Sequence, residues 1–159
     1  MSEWWQKIAA DFSDLPDMGE AIRMTVRLSL AAILGGMLGY DRERAGKSAG
    51  LRTHMLVSLG AALFVLIPQQ AGLGVADISR VIQGIVAGVG FLGAGAIVKD
   101  SHGSEVQGLT TAAGIWLTAA VGIAAGLGRE ASAALGTVLA LIILSGIGRV
   151  SRWIEKRKE

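Results

Sequence analysis

Five stretches without a single Asp, Glu, Lys or Arg, at residues 28–40, 53–76, 81–98, 106–128 and 131–148, constrain this chain more than anything else in it. Each is dominated by Ala, Gly, Leu, Ile and Val, and the charged residues are confined to the segments between them. Crossing a hydrocarbon core of about 30 Å takes about 20 helical residues. The pattern therefore predicts an all-α polytopic membrane protein with five transmembrane helices. A disordered chain is excluded by the 52% apolar content. With no cysteine, thiolate chemistry and disulfides drop out. The net charge of +2, with its bases beside apolar runs, excludes a nucleic-acid binder.

Span limits follow from the flanking residues. The first stretch is too short alone, so the first helix is placed at 24–40, with Arg27 in its first turn and able to snorkel to the headgroups. The second is placed at 51–67, ended by Pro68, and the others at 78–98, 107–127 and 131–148. Residues 1–20 carry five acids and no early basic segment, so they are unlike a cleaved signal. Trp4, Trp5, Ile8, Phe12 and Leu15 recur at helical spacing, which predicts an amphipathic helix lying in the interface. Residues 151–159 read as a short basic tail without a soluble domain. With five crossings, ten of the fifteen basic residues fall on one side if the N-terminus is outside and the C-terminus cytoplasmic, the arrangement the positive-inside rule favours.

Glycine supplies 23 residues, mostly inside the apolar runs. In a membrane bundle small residues let backbones approach, and small-xxx-small pairs occur at Gly35 and Gly39, Gly84 and Gly88, and Gly122 and Gly126. The spacing serves contacts within one chain or between chains equally. The run of Gly88, Gly90, Gly93 and Gly95 formally matches a dinucleotide fingerprint, but it lacks the preceding strand and the βαβ context that give that motif its chemistry.

Between the first two spans lies GYDRERAGKSAGLRTH, residues 39–54. It gathers Asp41, Arg42, Glu43, Arg44, Lys47, Arg52, Thr53 and His54 at a helix end and a helix start. The second loop on that side, KDSHGSE at 99–105, adds Lys99, Asp100, His102 and Glu105. Two readings fit: a basic loop with local ion pairs, or a cytoplasmic polar site. In the second reading Asp41 and Glu43 are candidate Mg²⁺ ligands, because that ion keeps several waters and needs only one or two direct carboxylates. No nucleophile with a positioned base, hydrolase metal spacing or phosphate loop is present, so no enzymatic activity is expected.

The blocks GGMLGYDRER (35–44), AGLRTHMLV (49–57), GIVAGVGFLGAGAI (84–97) and VQGLTTAAGIW (106–116) resemble, in order and spacing, the membrane domain of the MgtC/SapB family, especially its YhiD-like short members. Asp41 and Arg42 match the family's acidic-Arg pair, and residues 49–53 match its AGLRT segment. Gly90, Gly93 and Gly95 match its GFLGAG block, and Gly108, Leu109, Thr111 and Trp116 match the block opening the fourth helix. The resemblance implies a bacterial inner-membrane protein of the stress and virulence type. Such a protein supports adaptation to low Mg²⁺ and acts through membrane partners such as the F-type ATP synthase. Longer members append a soluble domain after the fifth span. Thr118 stands where some members have Cys, so a thiol role there is ruled out. A homo-oligomer, with a dimer as the commonest symmetry, is the expected assembly. The alternative reading is an oligomeric transporter or channel for Mg²⁺ or another ion, although no carboxylate lies within any charge-free stretch.

Overall fold

A computed structural model describes residues 3–11, 17–99 and 106–147. In chain order these form α1 (Glu3–Asp11), α2 (Met18–Arg44), α3 (Leu51–Gln70), α4 (Val75–Gly95), a short ribbon of β1 (Val98–Lys99) and β2 (Val106–Gln107), α5 (Leu109–Gly126) and α6 (Glu130–Leu141). The last helix continues into a π-helical turn at Ile142–Ile147. The described residues are all-α apart from that ribbon. Helices α2, α3, α4 and α5 are long and apolar enough to cross a membrane, while Glu130–Ser145 is a shorter apolar helix at the position of the fifth expected span.

Several limits differ from the sequence expectation, each for a local reason. Helix α2 starts at Met18 because Asp17 caps it, its Oδ1 accepting from the Glu20 N–H at 2.7 Å. Helix α3 runs through Pro68, which lies in its last turn and removes only one backbone donor. Helix α4 stops at Gly95, earlier than expected, and the chain then pairs in antiparallel register, Val98 with Gln107 and Lys99 with Val106. Gly108 closes that ribbon at φ 92°, and a side chain there would drive into the Ala96 carbonyl. Within α1, Trp4, Trp5 and Ile8 are exposed and the two indoles stack at 4.3 Å, whereas Phe12 and Leu15 lie outside the described residues.

Helix α3 is clasped by α2 on one side and α5 on the other. At the clasp, glycines let the helix backbones approach closely. A Cβ added to Gly35 would lie 2.6 Å from the His54 carbonyl oxygen, and one added to Gly39 would lie 2.7 Å from the Leu51 Cα. On α5, Gly122 abuts the Ser58 carbonyl, and a Cβ at Gly126 would come within 2.5 Å of the Ala62 carbonyl. Two apolar clusters follow from this arrangement. One joins Leu34 and Leu38 of α2 to Val121 and Ala125 of α5 and to Ala133 and Ala140 of α6. The other joins Ala61 and Val65 of α3 to Val89 of α4 and to Ile115 and Ala119 of α5.

Arg27 has partners within the protein. Its guanidinium donates to Gln69 Oε1 at 3.2 Å and approaches the Gly126 carbonyl at 3.4 Å and Glu130 at 3.8 Å. It thereby ties α2 to the ends of α3 and α5 and the start of α6. These oxygens give the guanidinium charge-assisted partners within the protein at the helix ends.

Candidate functional site

The turn between α2 and α3, residues 45–50, concentrates the chain's polar interactions. Asp41 Oδ2 accepts from Arg42 Nε at 3.0 Å and also pairs with its terminal nitrogen. Arg42 is only 4% exposed, so this ion pair sits against the bundle instead of in a solvated loop. Glu43 turns the other way. Its Oε2 accepts from the Leu51 N–H at 2.7 Å and so satisfies the first turn of α3 across the loop. Gly50 makes this possible, since a Cβ there would lie 2.5 Å from the same carboxylate oxygen. A carboxylate at a helix N-terminus also meets the positive end of the helix dipole.

Arg44, Lys47, Arg52 and Thr53 are exposed around this turn. His54 is not part of their cluster: it points into the bundle and is fully buried. Its Nδ1 lies 3.0 Å from the Gly50 carbonyl, which can only accept, so Nδ1 carries the proton and donates. Among the described residues Nε2, facing Gly114 of α5, has no hydrogen-bond partner, and neither has the Ser58 hydroxyl one turn further along α3. Thr118, opposite on α5, donates to its own Gly114 carbonyl at 2.8 Å. The buried pair of His54 and Ser58 was not singled out together from the sequence. Their spacing of four residues inside a charge-free stretch was the available signal.

The residues of the second loop, Asp100, His102 and Glu105, lie outside the described residues, and of Lys99 only the backbone in β1 is described. Among the described residues no three of His, Asp and Glu gather as a metal cage. The two candidate Mg²⁺ ligands already have protein partners, Arg42 for Asp41 and the Leu51 amide for Glu43. With those partners in place, these two side chains do not fit a resident Mg²⁺.

The glycines of the family-like blocks divide into two groups. Gly35 and Gly39 serve the clasp on α3, and Gly93 makes ordinary contact with Ala112 of α5. By contrast Gly84, Gly88, Gly90 and Gly95 of α4 have nothing within 4 Å of where a Cβ would stand. Thr111 is buried at the start of α5, while Trp116 is half exposed on its outer face. Between α3 and α4 runs an open groove of about 620 Å³, lined by Leu56, Gly60, Phe64, Gly84, Gly88 and Leu92 among others.

Long apolar helices around a glycine clasp, with the charged residues at the helix ends and turns, define a multi-pass helical membrane protein. Comparison with known proteins places it more closely. The chain belongs to the MgtC family, whose model matches residues 28–153. It is 42% identical over 154 residues to SrpB of Synechococcus elongatus, covering 89% of this chain and 85% of that protein. It is also 42% identical over 129 residues to YhiD of Escherichia coli K12, named provisionally as a magnesium transporter, covering 75% of this chain and 58% of that one. To MgtC of Brucella abortus it is 44% identical over 116 residues, covering 73% of this chain and 48% of that protein. The chain thus spans about half the length of the last two relatives. No solved structure matches it.

Proposed function

We propose that this protein is a non-enzymatic regulator in the bacterial inner membrane, acting by lateral contact with other membrane proteins in adaptation to low Mg²⁺. The observation that carries this reading is α4. It is a 21-residue apolar helix in which only Val89 and Gly93 are buried. Its outward side presents Gln83, Ala87, Gly90 and Ala94, exposed and at spacings of three and four. Small residues at that spacing let another helix approach closely, and Gln83 offers an amide to an incoming carbonyl. The partner is a second copy, with a homodimer the simplest closed arrangement, or a membrane subunit such as one of the F-type ATP synthase. With α6 and its π turn counted as a fifth crossing, the positive-inside rule sets the N-terminus outside and the turn at 45–50 in the cytoplasm.

A second reading, transport of Mg²⁺ or another ion, is favoured by the name of the YhiD relative and by the two unpartnered polar atoms on α3. Against it, the glycine clasp closes the bundle around those atoms. Flux separates the two. The full chain in sealed vesicles, with an Mg²⁺ indicator inside, should give no entry above protein-free vesicles under the regulatory reading. A photo-crosslinker at Ala87 or Gly90 should then capture a second copy or an ATP synthase subunit in membranes from cells grown in low Mg²⁺. Saturable Mg²⁺ entry with no crosslink from either position would overturn the regulatory reading in favour of transport.

A further inference from the structure

The groove between α3 and α4 has a shape that the lateral-contact reading does not explain. Its floor is glycine: Gly60 of α3 and Gly84 and Gly88 of α4 each leave open space where a Cβ would stand. Its walls are Leu56, Phe64 and Leu92, all more than half exposed although they flank a concavity. The lining on α3 spans Leu56 to Phe64 and that on α4 spans Val81 to Leu92. At about 1.5 Å per residue these runs are roughly 12 Å and 16 Å long. That is about half of a hydrocarbon core of about 30 Å, the depth of a single leaflet. An acyl chain of one leaflet matches this length.

The polar end of the groove is set as well. Arg52 stands one helical turn before Leu56, and Thr53 stands two turns before Gly60, on the side of α3 that lines the groove. Both are exposed in the first turn of α3. His54, beside them, is turned into the bundle, and Glu43 holds its carboxylate on the Leu51 amide, so the basic group at this end of the groove is Arg52. A guanidinium and a hydroxyl therefore sit where a phosphate would lie above an acyl chain in the groove.

We propose that the α3/α4 groove is a binding site for one anionic phospholipid of the leaflet at the α3 N-terminal end, its acyl chain over Gly60, Gly84 and Gly88 and its headgroup phosphate on Arg52 and Thr53. This assigns the Arg-Thr pair of the AGLRT segment a ligand. It requires only that the chain spans a membrane, and it holds whether the protein regulates or transports.

The test is native mass spectrometry of the full chain, extracted in mild detergent and offered equal amounts of phosphatidylglycerol and phosphatidylcholine with the same acyl chains. One lipid should be retained per chain, with phosphatidylglycerol favoured about fivefold, the preference expected from one basic residue at a membrane surface. Arg52→Gln should remove the preference but keep the retention. Gly88→Leu should remove the retention with helicity unchanged by circular dichroism, and Gly60→Leu serves as a second filling variant if the first does not fold. Retention equal in wild type and both filled variants, no headgroup preference in the wild type, or a lipid-free dimer whose copies crosslink through cysteines placed at Gly84 would each overturn the proposal.

Discussion

The carboxylate of Glu43, at the end of α2, accepts a hydrogen bond at 2.7 Å from the backbone N–H of Leu51, the first residue of α3. Two consecutive helices are thereby locked at their shared turn by one acid, and Gly50 supplies no capping side chain of its own. That occupation distinguishes a structural role for Glu43 from a metal-binding one.

Glu43→Ala should therefore loosen the start of α3. The loss of a capping acceptor costs about 0.5–2 kcal/mol. The expected outcome is a lower unfolding temperature in detergent and faster amide exchange at residues 51–54, with Glu43→Gln intermediate because its amide oxygen still accepts. Neither variant should change its midpoint between Mg²⁺ and a chelator. A Mg²⁺-dependent midpoint in the wild type that disappears in Glu43→Gln would return this residue to the role of ligand.

The glycine pairs give a contrast within a single spacing. Gly122 abuts the Ser58 carbonyl, whereas Gly84 faces open space. Gly122→Ala should separate α5 from α3 at a cost of about 1–3 kcal/mol, the usual range for overpacking. Gly84→Ala should stay within about 0.5 kcal/mol of wild type, as substitutions away from packed features do. Unfolding midpoints and membrane abundance of the two variants, measured side by side, check this. Equal effects would mean that the clasp is wrongly placed.

Much of this architecture was legible as pattern. Charge-free length located the apolar helices, and the acids, bases and glycine turn located the break between α2 and α3. What stayed hidden depended on distance in the chain. Arg27 reads locally as a snorkelling residue, and only the fold brings Gln69 and Glu130 to it. The pairs Gly35/Gly39 and Gly84/Gly88 have the same spacing, and only tertiary packing makes one pair a clasp and the other a groove floor. The start of α2 was a different case. Asp17 and Glu20 form an N-terminal signature in the sequence that sets the helix start well before the charge-free stretch begins. In the site itself, charge clustering found Asp41, Arg42 and Glu43, yet it grouped His54 with them although that side chain turns inward.

Asp41 and Arg42 make a prediction about stability as well as function. Arg42 is buried, and among the described residues its ion pair is with Asp41. Asp41→Asn leaves that guanidinium without its carboxylate, a change that costs about 1–3 kcal/mol for a buried group losing its partner. Both abundance in the membrane and complementation of a deletion strain in low Mg²⁺ should fall, and Arg42→Gln combined with Asp41→Asn should recover abundance. A surface loop pair would behave otherwise, with Asp41→Asn showing normal abundance by immunoblot.

The buried hydroxyl of Ser58 separates a packing role from a permeation role. Among the described residues it has no hydrogen-bond partner, and it sits on the α3 face that Gly35 and Gly122 press from two sides. A buried hydroxyl left unsatisfied destabilises the folded state, so removing it should be neutral or favourable. Ser58→Ala should therefore raise or maintain the unfolding midpoint and leave complementation in low Mg²⁺ intact. Ser58→Val adds methyl groups against the Gly35 backbone and should lower both, because no space exists there for them. If the hydroxyl instead lined an ion path, Ser58→Ala would keep its stability but lose complementation, and vesicles containing it would show slower Mg²⁺ entry than wild type. Midpoint, complementation and flux measured on the two variants therefore discriminate a sealed bundle from a conducting one.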